Sequence, residues 1–184
     1  NKMFVLRGQS APNASGWQYS IFSSTDGETW TYEGDAAFGG YEYSALQVIG
    51  ATAYFYGGKA TGGVMSGNCW SSIDGINWSI IAAGAFTPHY GERGCVCDNT
   101  LYSICGRVSM DGIPASLLNQ GFYSADGITW TELPIDLNLI AYHCLAVHNN
   151  KIYILGGYYN GISRVDPNYV VPAPILEGVG GVLF

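Results

Sequence analysis

Charge is what this sequence has least of. Asp, Glu, Lys and Arg make up 11% of its 184 residues, against roughly 25% in an average soluble domain, and lysine occurs only at Lys2, Lys59 and Lys151. The net charge is −7. Binding to phosphate backbones needs clustered cations, so this balance argues against a nucleic-acid partner and equally against an anionic membrane surface. No apolar run reaches the roughly 18 residues of a membrane span, so no membrane insertion is expected. The first residues carry neither the charged nor the apolar region of a secretory signal. The chain opens on Asn1 inside a repeating pattern, as expected of a cleavage product or a segment of something longer.

Histidine is also scarce. His143 and His148 are odd-spaced on one expected strand and so point to opposite faces, which with His89 makes no metal site. The cysteines are odd in number (Cys69, Cys95, Cys97, Cys105, Cys144) and fall mostly in expected strands, where they read as small buried hydrophobes. The single residue between Cys95 and Cys97 is not the spacing of structural zinc ligands. No cofactor is expected, and no stretch has the periodicity of an amphipathic helix.

What the chain has in quantity is glycine (26) and tyrosine (14), and a motif written three times. Ser24-Thr25-Asp26-Gly27-Glu28-Thr29-Trp30, Ser72-Ile73-Asp74-Gly75-Ile76-Asn77-Trp78 and Ser124-Ala125-Asp126-Gly127-Ile128-Thr129-Trp130 all read S-x-D-G-x-x-W, with tryptophans 48 and 52 residues apart. A second series keeps step with it. The segments at 1–8, 51–58, 99–106 and 150–157 each have an aromatic at the fourth position and a glycine at the eighth. The last three are preceded by an apolar strand and a two-residue turn of Gly50-Ala51, Asp98-Asn99 or Asn149-Asn150, types that tolerate positive φ. Each unit is therefore a hairpin followed by a second hairpin.

Strands are expected at about 3–7, 18–22 and 30–32 in a first, partial unit. The second unit places them near 44–49, 53–57, 68–72 and 77–81, and the third near 93–97, 100–105, 120–124 and 129–132. The fourth has 143–148, 151–155 and a third strand at 162–165. Four antiparallel strands in a repeat of about 50 residues are the signature of a β-propeller blade. The hairpin segments with their Gly-Gly doublets, notably 143–157, resemble kelch repeats. The S-x-D-G-x-x-W segments resemble a shortened Asp-box, the turn motif of sialidases and related propellers.

The resemblance covers residues 1–165 and implies an all-β chain. One domain over 1–184 is expected, a propeller of about four blades in units of about 1–40, 41–89, 90–140 and 141–184, with 166–184 an atypical tail. Val179-Gly180-Gly181-Val182-Leu183-Phe184 can supply the opening strand that the first unit lacks and close a four-bladed ring; the chain can equally be an arc of a larger one.

The resemblance also assigns roles. Asp26, Asp74 and Asp126 are expected to be held by their own turns and so to be structural, and Trp30, Trp78 and Trp130 to be core residues. The tight turns share one end of the units and the long loops the other. That loop face is the expected binding surface. It carries Trp17, Tyr41, Tyr43, His89, Tyr90, Arg107, Asp111, Tyr142, Tyr158 and Tyr159, a mixture suited to stacking on sugar rings and to adaptable hydrogen bonding. A sialidase-like site would need an arginine cluster on six blades, and this chain has four arginines in a shorter frame. The loop acids Asp35, Glu42, Glu92, Asp111 and Asp136 show no pairing of the kind a glycosidase needs. No residue is expected to be catalytic. The expected role is binding or assembly outside the cytoplasm, since low lysine with abundant Gly, Tyr and Asn resembles phage tail and fibre modules and secreted bacterial adhesins. The partner is then a glycan or protein at a cell surface, or neighbouring subunits including further copies of the chain. A glycan hydrolase is the alternative.

Overall fold

The computed structural model describes residues 2–6, 19–109, 117–134, 140–159, 162–163 and 169–172. All regular structure among them is β, with no helix. In chain order the strands are β1 (Met3–Leu6), β2 (Ser20–Ser24), β3 (Thr31–Asp35), β4 (Tyr41–Glu42), β5 (Ala45–Ile49), β6 (Thr52–Tyr56), β7 (Lys59–Ala60), β8 (Cys69–Ser72) and β9 (Ser79–Ala82). They continue with β10 (Arg93–Cys97), β11 (Thr100–Arg107), β12 (Leu117–Ser124), β13 (Thr131–Glu132), β14 (Ile140–Ala141), β15 (Cys144–His148), β16 (Lys151–Leu155), β17 (Tyr158–Tyr159), β18 (Ile162–Ser163) and β19 (Tyr169–Pro172).

These form four principal antiparallel sheets, β1-β2-β3, β5-β6-β8-β9, β10-β11-β12-β13 and β15-β16-β19, with two small ladders, β4-β7 and β14-β17-β18. The repeat is visible in the register. Ser23 pairs with Thr31, Ser71 with Ser79 and Tyr123 with Thr131, each with seven residues between the partners across the D-G turn. Opening strands β5, β10 and β15 lie next to one another, so successive sheets follow each other around the same side.

The hairpins close as their turn residues dictate. Asp98, Asn99, Asn149 and Asn150 all take φ between 49° and 55°, and Gly50 takes 59°, the left-handed values of two-residue hairpin turns. The D-G turns repeat one hydrogen-bond pattern three times. In the second, Asp74 Oδ1 accepts from the N–H groups of Ile76 and Asn77 at 2.8 and 2.7 Å, and Ser72 Oγ accepts from the Gly75 N–H at 2.8 Å. The Trp78 indole donates to the Gly75 carbonyl at 3.1 Å. Asp26 and Asp126 sit in matching nets. Backbone N–H groups hold Asp26 and Asp126 below the usual carboxylate range; for Asp74 the Asn77 side-chain amide contributes most, ahead of those N–H groups. All three carboxylates are thus engaged within their own turns.

Three apolar clusters fill the gaps between sheets. The first joins Ile21 and Ala36 to Phe55 and Trp78. The second joins Tyr56 and Phe86 to Leu101 and Phe122, with Trp130 packed on it. The third joins Cys95, Tyr102 and Ile104 to Ile152 and Ile154. The two middle sheets thus turn one face to the sheet before and the other to the sheet after.

Three expectations need correction. Trp30 is not a core residue: it is 39% exposed where Trp78 is 6%. The motif aims its indole at the preceding sheet, and among the described residues β1-β2-β3 has none. The third strand of the fourth sheet is not 162–165. Ile162 and Ser163 pair with Tyr159 and Tyr158 in a short reversal, and Tyr169–Pro172 takes the place beside β16. Of the cysteines, Cys69, Cys95, Cys97 and Cys105 are buried and free, but Cys144 is exposed. Burial pushes the thiols of Cys69 and Cys95 up to about 12, which keeps them protonated and inert.

Candidate functional site

Two backbone reversals recur at one end of the sheets. The residues just before the opening strands, Tyr43, Gly91 and Tyr142, have φ of 57°, 70° and 57°. The doublets at the ends of the second strands, Gly57-Gly58 and Gly156-Gly157 just beyond β6 and β16 and Cys105-Gly106 near the end of β11 where its register shifts, are left-handed throughout. Glycine takes such angles without cost; a tyrosine does not. The two reversals dock on each other. Glu42 pairs with Lys59, Tyr90 with Arg107 and Ala141 with Tyr158, the same pair of repeat positions in three units. Neighbouring units are then tied by the Gly58 N–H donating to the His89 carbonyl at 3.0 Å and the Tyr142 N–H to that of Gly91 at 2.8 Å.

This docking gathers three tyrosines. Ring centroids of Tyr43 and Tyr142 are 5.5 Å apart, of Tyr43 and Tyr90 5.9 Å, and of Tyr90 and Tyr142 6.3 Å, all inclined rather than stacked. Tyr43 is 47% exposed and Tyr90 is buried, so the cluster presents one open ring on a supported base. Lys59 lies 5.7 Å from the Tyr90 centroid, within cation–π range, and forms an ion pair with Glu42. Burial, then the Tyr90 hydroxyl beside it, pushes the Tyr142 phenol up to about 12, with the Arg107 guanidinium acting in the opposite sense.

Directly behind the tyrosines is a second repeated position, Ser44, Glu92 and His143, each one residue before its opening strand or just beyond. Ser44 Oγ, both carboxyl oxygens of Glu92 and both ring nitrogens of His143 are buried without a hydrogen-bond partner. Glu92 is 1% exposed, and its carboxyl lies so close to Gly57 that a Cβ there would sit 2.1 Å from Oε1. Burial pushes its carboxyl well above the ordinary carboxylate range, only partly countered by backbone N–H groups and Arg93. Burial, and secondarily Arg93, pulls His143 down to about 4. At neutral pH His143 is uncharged, and burial favours the uncharged form of Glu92. Beside them, between the first two sheets, is a cleft of about 290 Å³ lined by Phe38, Tyr41, Glu42, Tyr43, Ser44 and Phe55.

Comparison with known proteins bears on fold. The chain is similar to the solved structure of YjhT, with a TM-score of 0.68 at 16% identity over 83% of this chain. The match covers 48% of that protein, so the chain spans about half its length. No protein-family model matches, and no curated protein does. At this identity the likeness is one of fold alone.

Of the residues expected on the loop face, Tyr43, Tyr90, Tyr142 and Arg107 come together. Tyr41 turns aside, edge-on to Phe38 and Phe55, with its hydroxyl 3.5 Å from Ser66 Oγ. His89 is not displayed at all. It is fully buried, its Nδ1–H donating to the Thr87 carbonyl at 2.6 Å and its Nε2 3.0 Å from Ser103 Oγ, with the ring against Phe122. Burial pulls it down to about 4. Its role is to tie the loop to β11. Tyr158 and Tyr159 lie in β17, paired with β14. Trp17 and Asp111 lie outside the described residues.

Sequence reasoning missed Lys59 and the Ser44, Glu92 and His143 set. The signal for Lys59 was present, because it follows its Gly-Gly doublet as Arg107 follows Cys105-Gly106.

Proposed function

We propose that the four principal sheets are successive blades of a kelch-type β-propeller, and that the protein is a binding module that takes a glycan at the tyrosine cluster. The observation that carries the reading is the pair of tyrosines, Tyr43 and Tyr142, held at φ 57° in equivalent positions and facing each other at 5.5 Å. A left-handed tyrosine costs roughly 1–2 kcal/mol, and strain of this kind collects at ligand sites. The exposed Tyr43 ring can stack on the apolar face of a sugar, with the half-buried Tyr142 and the buried Tyr90, Lys59 and Arg107 holding it in place. The side-by-side opening strands, the shared registers and the likeness to YjhT support the blade reading.

Binding is favoured over hydrolysis because neither nearby carboxyl is placed to work on water. Glu42 is held by Lys59, and Glu92 is sealed from water, with burial pushing its carboxyl well above the ordinary range.

The test is a glycan array followed by titration of the best ligand, with Tyr43→Ala and Tyr142→Ala beside the unchanged protein and circular dichroism as the folding control. Each substitution should weaken binding about tenfold or more, as for an aromatic at the centre of a contact. An array on which the unchanged protein binds nothing, or folded variants that bind as before, would refute the reading.

A further inference from the structure

The face of the first sheet that points away from the second is built like a buried face. By register, Met3 and Val5 on β1 occupy the positions of Ala53 and Phe55, of Leu101 and Ser103, and of Ile152 and Ile154 in the later sheets. Phe55, Leu101, Ser103, Ile152 and Ile154 are all buried against the preceding sheet, whereas Met3 and Val5 are exposed. Trp30 stands to Trp78 in the same relation. On β2 and β3, Phe22 and Tyr32 pair with Val5 in one cross-strand row and extend the patch. Five apolar side chains on one sheet face make the kind of contiguous surface that marks an interface.

The matching surface is on the fourth sheet. Leu155 is at the position of Leu6, Tyr56 and Ile104, and Tyr153 at that of Phe4, Tyr54 and Tyr102. Those residues pack on the sheet that follows. Leu155 is exposed and Tyr153 half-buried. One chain therefore carries both halves of the contact that its own sheets make three times, and among the described residues the first and fourth sheets show no substantial contact with each other.

We propose that two copies of this chain associate head to tail, the fourth sheet of each covering the Trp30 face of the other. Two such contacts related by a twofold axis close, leaving neither face open. The charges are complementary: Asp35, bonded to Tyr32, lies on the Trp30 face, and Lys151 shares the open face of β16 with Tyr153 and Leu155. The inference is independent of what the tyrosine cluster binds.

Native mass spectrometry and light scattering of the 184-residue chain at about 1–100 µM test it, with Trp30→Glu and Leu155→Glu as variants and circular dichroism as control. Twice the 19.7 kDa of one chain is expected, and each substitution alone, on opposite faces of the contact, should return the protein to single copies at the same concentration. A monomer throughout, as intrachain closure would give, overturns the proposal. So does a dimer that survives either substitution, or any other stoichiometry.

Discussion

Glu92 offers a stability measurement whose sign is fixed by its surroundings. Its carboxyl is 1% exposed and neither oxygen makes a hydrogen bond of ordinary geometry, the backbone N–H groups of Glu92 and Gly58 and the Arg93 guanidinium offsetting only part of burial, so ionising it inside the protein would leave a poorly solvated charge. The folded state therefore keeps a proton that the unfolded chain releases above about pH 4.3. A raised carboxyl pKa contributes most below that value, and its contribution is lost as pH rises from there toward the folded-state pKa. Each unit in that window removes about 1.4 kcal/mol. Glu92→Gln keeps the size of the side chain and removes the titration. At pH 5 the two proteins should differ by only about 1–2 kcal/mol, since a buried neutral amide and a buried neutral acid carry similar desolvation costs. From pH 5 to 8 the variant should gain on the parent by up to about 1.4 kcal/mol per unit. Every other titrating group is common to both and cancels in the difference. Urea unfolding at four pH values reads it directly, provided the slopes agree. A difference flat with pH, or one that moves in favour of Glu92, would mean a charged and paired carboxylate and would refute the argument.

Other substitutions probe the same frame. Gly57→Ala puts a Cβ at φ 66° and 2.1 Å from Glu92 Oε1; left-handed strain of roughly 1–2 kcal/mol and overpacking of roughly 1–3 kcal/mol should add in a denaturant melt. In a Glu92→Ala background only the backbone part should remain, and an undiminished loss would place the clash elsewhere. Trp78→Ala should cost about 3–5 kcal/mol as a buried aromatic, whereas Trp30→Ala, in the same motif and with the same indole bond to a glycine carbonyl, should cost under about 1 kcal/mol in dilute monomeric protein. Equal losses by thermal or urea unfolding would show that the motif, and not the sheet in front of it, fixes the tryptophan's contribution.

The repeat made most of the fold legible. Period-2 patterns bounded by Gly, Asn and Asp place nearly every strand of the first three sheets to within a few residues, because hairpin registers are set by local turn chemistry. The fourth sheet departs where the S-x-D-G-x-x-W signal ends. Ile162-Ser163 has strand-like residues at a plausible distance from Gly157, but with no D-G turn to lock a register it pairs instead with Tyr158–Tyr159. The site was half legible. Tyr43, Tyr90 and Tyr142 announce themselves by type and by their place before an opening strand. His89 and Glu92 have the composition of loop residues, and only tertiary packing, Phe122 across His89 and Gly57 against Glu92, takes them inside.

The distribution of cost along the repeat is uneven, and it favours the proposed site at the tyrosine end. At the tight-turn end every feature lowers free energy: left-handed angles fall on Gly, Asn and Asp, and each turn carboxylate is filled with N–H donors. At the other end the same frame accepts what it avoids elsewhere. Tyr43, Tyr142 and Cys105 hold left-handed angles without being glycine, and Ser44, Glu92 and His143 bury polar atoms without partners at one repeated position. A frame that solves both problems cheaply at one end does not fail to solve them at the other for want of glycine, which it uses freely. The costs, each of the order of 1–3 kcal/mol, fall around one tyrosine cluster. They are what the proposed glycan site requires of this end, with three unlike polar residues buried behind it where a strict repeat would place one side chain three times.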